Sequence, residues 1–559
     1  MSSRQAHLEP LNPDTAAVLP LLPGQFAHHH AIAEGGPEAD VSLWMSYRVT
    51  GPLDVSAFVA AVRSTVTRHA ALRIGVTTRE GTPVQWIRPV PESDRLVELR
   101  QVTAKDAEQF TRYVRAVLAA DLRHSFDLTV EYPFVVRLLR FSPTSHAVIG
   151  VFSGYAVDAT ARMNVVRELW DAYFSRDTDV ELGDAEYRAA VTGQATAAAS
   201  GRSHAVSAYW RQRGPWLPPR CQMSPGLGGP ATSAARSELL CIDGDTWVGL
   251  RDHWQASGFT SVQRLLAAFA ATVFLLTPQD RIVVAMKLNG RRHADRGVVG
   301  MFDVIVPVVL DRPARPADLL SEVRRELLSA ISRRNVTRQA LDDMWATAAR
   351  RLGRPVHQTL LMTYLEDNAD RDPPTGGDVT IERGAYTPTF HRTADGLRIA
   401  ATEQPDRLRV RLTADGETMS EATFTRFVAA FRARLSGDDS HLVASAPGQH
   451  QGQGPQLTPL QAPDGTVVLV VDLAEVTAAL DSHPAVASSR AFVEIAEDGG
   501  SRLAAEVTTA GIDVTADELA DHVRSTVARR PFLAVPTRVA VVSGTAEERS
   551  EALFMDGVG

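Results

Sequence analysis

In the stretch His146-Ala147-Val148-Ile149-Gly150-Val151-Phe152-Ser153-Gly154-Tyr155-Ala156-Val157-Asp158-Ala159, three patterns follow one another. Ala147 to Phe152 is an unbroken apolar run, the pattern of a strand buried on both faces. Small residues then form a tight turn that carries Ser153, Tyr155 and Asp158. Beyond it, Thr160 to Phe174 spaces Met163, Val166, Trp170 and Tyr173 along one face of a helix. A strand, a turn and a helix in this order hold the loop's side chains rigidly at the rim of a cleft.

Upstream, Tyr132 to Phe141 and Val41 to Val49 read as strands and Ala107 to Ala120 as a helix. Val55 to His69 is an amphipathic helix with Phe58, Val62 and Val66 inward, running into Arg68-His69-Ala70-Ala71-Leu72-Arg73. Earlier still stand Pro20-Leu21-Leu22-Pro23-Gly24-Gln25 and the run His28-His29-His30. Adjacent residues on a helix point in different directions, so three consecutive histidines cannot converge on one ion, and they read as a partly exposed helix start. Residues 1–18 are polar and expected to be loose.

Downstream, residues 175–205 are polar and rich in Ala and Gly, the composition of a crossover between two lobes. A long apolar helix is expected up to Leu276, capped by Thr260 or Ser261. Arg281 to Leu288 and Thr359 to Tyr364 read as strands, Leu397–Ala401 and Leu408–Leu412 as a hairpin-like pair, and Thr423 to Leu435 as a helix. Gly437 to Gly465 is a flexible linker by composition.

The central stretch resembles the core of the condensation domains of nonribosomal peptide synthetases, within the chloramphenicol acetyltransferase-like superfamily. The family motif is HHxxxDG, and here it reads Ser153-Gly154-Tyr155-Ala156-Val157-Asp158-Ala159: the aspartate is kept and both histidines are replaced. The segments Pro20–Gln25, Arg68–Arg73, Asn289-Gly290-Arg291 and Val299–Pro307 resemble further family motifs, with Val304 where the family has an asparagine. After the linker, Asp472 to Val486 and the segments up to Pro536 are similar to the small C-terminal subdomain of adenylation domains. That family's lysine is matched by the segment Ser543-Gly544-Thr545-Ala546, and no lysine follows Lys287.

The resemblance implies an α/β fold of two chloramphenicol acetyltransferase-like lobes, forming a V-shaped condensation domain with a central tunnel, plus a small C-terminal α+β subdomain. The expected divisions are 1–180 and 181–437 for the lobes, 438–464 for the linker, 465–545 for the C-terminal unit and 546–559 for the tail. It also implies a substrate presented on the phosphopantetheine of an acyl or peptidyl carrier protein, with no covalently bound cofactor and possible further biosynthetic partner enzymes. The family's proton-handling histidine falls on Gly154. Asp158 is then an organiser paired with Arg291 of the second lobe, and Tyr155, Asp158 and Ser153 remain as candidate catalytic groups. Two readings follow: a condensation-type protein forming an amide or ester by a route without the usual histidine, or a catalytically inactive scaffold that binds a carrier protein or recruits a partner enzyme.

Composition narrows the setting. With 44% apolar and 22% charged residues the chain is an ordinary globular protein, and its net charge of −8 offers no basic footprint for nucleic acid. Cys221 and Cys241 are expected as free thiols of a reducing compartment. The absence of a leader pattern or an apolar stretch of spanning length points to the cytoplasm. Metal-ligand spacing, a phosphate-binding glycine loop and a Ser/His/Asp elbow are all missing from the sequence.

Overall fold

The computed structural model describes residues 17–35, 41–229, 235–356, 359–366, 378–384, 386, 396–435, 456–527 and 530–542. Most of the expected linker, the Ser543–Ala546 segment and the tail lie outside the described residues.

The apolar run is the middle strand of the first lobe. Ser145–Ser153 pairs antiparallel with Ser42–Thr50 on one side and Phe134–Ser142 on the other, and His146 to Ser153 are all buried. Strands covered on both faces carry no polar alternation, which explains the uninterrupted run. The motif helix, Ala159–Ser175, packs beside Val55–Arg68 and buries Val165, Val166, Leu169, Trp170 and Tyr173. Met163 is only half-buried, because the covered face is centred on Leu169 and Met163 falls just beyond its edge. Trp170 anchors the layer, its ring centroid 5.3 Å from that of Tyr47 and 5.7 Å from that of Phe58.

The sheet of this lobe has five strands, in the order Thr380–Arg383, Ser42–Thr50, Ser145–Ser153, Phe134–Ser142, Glu98–Gln101. Its first strand comes from far downstream, so the chain returns to the first lobe after building most of the second. Val379, Ile381 and Tyr386 lie in the first lobe's core, together with Tyr187, Val191, Val299 and Phe302. A boundary near residue 180 therefore divides chain segments rather than cores.

The second lobe is built on a six-stranded sheet, in the order Asp303–Asp311, Arg281–Asn289, Leu360–Glu366, Leu397–Gln404, Arg407–Ala414, Arg236–Asp243. Ser261–Phe274 is its central helix, almost wholly buried, and Thr260 and Gln263 close a reciprocal capping box at its start. The stretch expected as a crossover is helical over Asp184–Ala198, which packs on the first lobe's core, and continues in Gly201–Arg213. Its alanines are the strongest helix formers, and they outweigh one interior glycine.

The C-terminal unit is an α+β body. It holds a two-stranded ribbon (Leu457–Gln461 with Val467–Asp472), a sheet of Val486–Ile495, Ser501–Thr509 and Arg538–Val542, and two helices, Leu473–Asp481 and Ala516–Val527. The first ribbon strand falls inside the stretch that composition marked as linker; Leu460 is buried there. Buried polar groups fasten this unit to the second lobe. Gln222 Nε2 donates to the carbonyls of Val470 (2.8 Å) and Pro531 (2.9 Å), and its Oε1 accepts from Val470 N. Gln279 Nε2 donates to Val468 O at 2.6 Å. The buried Arg354 guanidinium donates to the carbonyls of Arg530, Leu533 and Val527. Gly353, at φ +64°, both ends a helix in the left-handed conformation and lies so close to the Val535 carbonyl that no Cβ would fit.

Candidate active site at the seam of the two lobes

The loop after the motif strand is held from three directions. Ser153 O accepts from Ala156 N (2.9 Å), and Ser153 Oγ, fully buried, accepts from Tyr155 N (3.3 Å). Asp158 caps the motif helix, its Oδ1 accepting from Ala161 N at 2.7 Å. Its Oδ2 accepts from Arg291 Nη1 at 2.6 Å and from Phe302 N at 2.9 Å. Arg291 in turn donates to the carbonyls of Val298 and Gly300, and its guanidinium lies 4.5 Å from the Phe302 ring centroid. The structure thus brings Asp158 and Arg291 together as a fully buried latch between the lobes. Asp158 is 0% exposed and both its oxygens are engaged, in the helix cap and in the contact with the second lobe. Removing one partner of such a pair costs about 3–5 kcal/mol.

A second carboxylate stands beside the latch. Asp303 forms an ion pair with Lys287 at 3.3 Å. Burial, reinforced by the negative charge of Asp158, pushes its carboxyl up to about 6 against the attraction of Lys287 and Arg291. Sequence reasoning passed over Asp303, since nothing in Met301-Phe302-Asp303 marks it as buried.

The leading helix, Pro23–Gly35, changes the reading of the motif. Gln25 is completely buried: its Nε2 donates to Tyr155 O at 2.8 Å, and its Oε1 accepts from Leu22 N and from Gln85 Nε2. Tyr187 OH closes the cluster by donating to Gln85 Oε1 at 2.9 Å, and burial raises the Tyr187 phenol far above its usual range. This network fixes the helix over the loop. At its first turn, a Cβ on Gly24 would lie 2.5 Å from Asp303 O, so the helix also touches the second lobe.

One turn on, the helix presents imidazoles to the motif. His28 is 8% exposed, and its Cε1 and Nε2 lie 3.0 Å from where a Gly154 Cβ would stand. That same Cβ would fall well inside contact distance of Val41 O. The position matching the family's histidine therefore has no room for a side chain, and an imidazole from another element fills the space. His28 also packs edge-on against Tyr155, ring centroids 4.8 Å apart. His29 Nδ1 lies 2.8 Å from Tyr155 OH. Burial, helped by the charges of His30 and His28, lowers the His29 pKa, so its neutral form prevails at pH 7. The sequence reading treated these histidines as a helix start. Nothing in their spacing marked them; it is the buried Gln25 of the preceding motif that docks this helix against Tyr155.

Among the described residues no group of three His, Cys, Asp or Glu could hold a metal ion. Cys221 is buried, and its thiol is pushed up to about 12, so it is no nucleophile; Cys241 is exposed. No helix of the described residues is long and apolar enough to cross a membrane.

Two mixed α/β lobes are thus joined through a buried aspartate–arginine pair, with titratable groups at the junction. The profile of the Condensation domain family matches residues 38–439, and the chain belongs to that family. It is 25% identical over 367 residues to phosphinothricin tripeptide synthetase PhsB of Streptomyces viridochromogenes, covering 62% of this chain and 29% of that protein. It is 25% identical over 350 residues to the isonitrile lipopeptide synthase of Mycobacterium tuberculosis, covering 58% of this chain and 13% of that one. The chain thus spans less than a third of the length of these curated relatives. In fold it is similar to the first condensation domain of the calcium-dependent antibiotic synthetase, with TM-score 0.60, 19% identity and coverage of 78% of this chain and 98% of that one. It is likewise similar to the X-domain from teicoplanin biosynthesis, with TM-score 0.58, 18% identity and coverage of 77% and 96%.

Proposed function

We propose that this protein joins a carrier-tethered acyl group to an amine or alcohol, with the proton handled by a histidine–tyrosine pair borne on two different elements. The observation that carries this reading is the 2.8 Å contact of His29 Nδ1 with Tyr155 OH, beside a Gly154 whose space His28 occupies. The attacking nitrogen or oxygen forms a bond to the thioester carbonyl and gives its proton to the Tyr155 oxygen, as Tyr155 passes its own to the neutral His29. The C–S bond breaks, and the phosphopantetheine thiolate leaves and recovers the proton from His29. His28 sets the orientation of the tyrosine ring. Holding both reactants at the seam lowers the barrier by about 7–11 kcal/mol, and a positioned base adds roughly 10²–10⁴ in rate. The C-terminal unit, similar to an adenylation subdomain, serves here as a brace, since buried hydrogen bonds fasten it to the second lobe.

Acyl-loaded carrier proteins and candidate amines, incubated with the purified chain, test the proposal. Tyr155→Phe and His29→Ala should each lower turnover about 10²–10⁴-fold while carrier affinity is unchanged. Turnover indifferent to both substitutions overturns the assignment of the pair. Carrier or partner binding without any turnover favours the scaffold reading instead.

A further inference from the structure

The six-stranded sheet of the second lobe ends at Arg236–Asp243, on the side away from Asp303–Asp311 and the seam. Arg407–Ala414 pairs with its inner edge, and among the described residues no strand pairs with its outer edge. Along the last three strands one face is apolar and covered: Leu240, Ile399, Ala401, Leu408, Val410 and Leu412 are buried. Alternation turns the other face to solvent, and that face carries Arg398, Arg407, Arg409 and Arg411, with Leu239 (45% exposed) and Cys241 beside them.

Register makes this face lopsided in charge. Arg407, Arg409 and Arg411 follow one another at every second position of one strand, about 7 Å apart. Among the described residues the only carboxylate on this face of the three strands is Asp243, opposite Arg407, which also pairs with Asp406 at 2.8 Å. Arg409, opposite Cys241, and Arg411, opposite Leu239, have no ion pair among the described residues. Arg411 instead reaches sideways: its Nη1 donates to Ser237 Oγ at 3.3 Å, which brings the guanidinium over the outermost strand. A positive row of this kind, in a chain of net charge −8, is a place for a complementary anion, and an unpaired strand edge offers its N–H and C=O groups to an extended segment. We propose that the outer edge of Arg236–Asp243 takes an extended acidic peptide segment of a partner protein as a further strand, with carboxylates on Arg409 and Arg411 and an apolar side chain on Leu239.

Other occupants fit less well. A second copy paired antiparallel at this edge about a two-fold axis would set two arginine rows on one continuous face, where they repel. Nucleic acid finds no aromatic side chain to stack on among the outward residues of these strands. The face measures about 350 Å² from strand spacing and length, below the roughly 800 Å² per partner of a stable complex, so docking here is reversible and sensitive to salt. The edge lies at the far end of the sheet from the seam, and the proposal does not depend on the reaction assigned to His29 and Tyr155.

Fluorescence anisotropy of the full chain with the fluorescein-labelled peptide Glu-Val-Glu-Val-Glu-Val-Glu tests the proposal. Saturable binding should weaken about tenfold in the double variant Arg409→Gln/Arg411→Gln and fade in about 0.5 M salt. Arg112→Gln, on an exposed helix face of the first lobe, should leave it unchanged. Bound peptide should slow amide exchange over residues 236–243 and shield the exposed Cys241 from a maleimide, while Cys221 is buried throughout. The same peptide N-methylated at alternate residues cannot add as a strand and should bind weakly. Equal binding by the N-methylated peptide, normal binding by the double variant, or no saturable binding overturns the proposal. Tighter, arginine-dependent binding of oligo(dT) overturns it in favour of nucleic acid, and self-association of the chain lost in the double variant overturns it in favour of a second copy.

Discussion

Placing a single methyl group on Gly154 tests whether the family's histidine position is closed. Gly154 does not have a positive φ, so the difficulty for Gly154→Ala is one of space and not of backbone conformation. The new carbon would stand 3.0 Å from Cε1 and Nε2 of His28, where apolar contacts settle at about 3.5–4.0 Å. The imidazole can swing away, but the Val41 carbonyl cannot easily follow. It immediately precedes the strand whose first residue, Ser42, is in register with Ser153. Overpacking of this kind costs about 1–3 kcal/mol. His28→Ala should relieve the imidazole part of the strain and leave the carbonyl part, so the double variant should show coupling of about 0.5–1 kcal/mol. Because the chain has several cores, a global melt does not isolate this region, and amide exchange across residues 154–157 is the better assay. Exchange in Gly154→Ala within about 0.5 kcal/mol of the parent, or strictly additive effects, would refute the placement of His28 in that space. By the same geometry, Gly154→His does not restore the family's arrangement while His28 is present.

Two further outcomes follow from buried charge. The Asp303 carboxyl is raised to about 6, so the folded state binds its proton more tightly than the unfolded chain. The resulting penalty grows as the pH rises from about 4 to about 6 and is complete above that, amounting to roughly 3 kcal/mol. Asp303→Asn should therefore raise stability towards urea at pH 7.5 and make little difference at pH 4; a loss at pH 7.5 would show that the Lys287 contact outweighs burial. For the brace, Arg354→Met leaves the buried Leu533 carbonyl without its donor, at about 1–3 kcal/mol, while those of Arg530 and Val527 keep a backbone donor each. Hydrogen exchange should then quicken over residues 467–472 and 530–535 with the first lobe unaffected; unchanged protection there would mean that the unit is held by its apolar contacts alone.

The motif strand, its turn and the helix beyond it were legible because each pattern is local: a buried run, small residues, helical spacing. The pairing of Asp158 with Arg291 spans 133 positions and could be anticipated only through two family motifs, not from chemistry. The histidines were not legible. The argument that three neighbours cannot share one ion holds, yet His28 and His29 both lie against one tyrosine, a different geometry that sequence spacing does not exclude. The docking of the C-terminal unit was hidden for the same reason. Gln222 meets Val470 across 248 positions, and a lone glutamine in a loop carries no signal of a buried interface.

These details bear on what the proposed reaction would require of a site that has a glycine at position 154. A proton-handling group must be held to within roughly half an ångström of its productive place. In this chain the loop after the motif strand supplies a tyrosine and a helix cap, while the imidazoles come from a helix 126 positions earlier in the chain. Such a helix is useful only if its position is fixed against both lobes at once. Gln25 fixes it to the first through the Tyr155 carbonyl, and the close approach of Gly24 to Asp303 O fixes it to the second. The Asp158–Arg291 latch then sets the distance between those two anchors. Loosening the latch should therefore separate His29 from Tyr155 before either lobe unfolds. Asp158→Asn should accordingly lower turnover while the core amides of both sheets keep their protection, and early loss of protection throughout the sheets would show that the latch supports the fold and not the site.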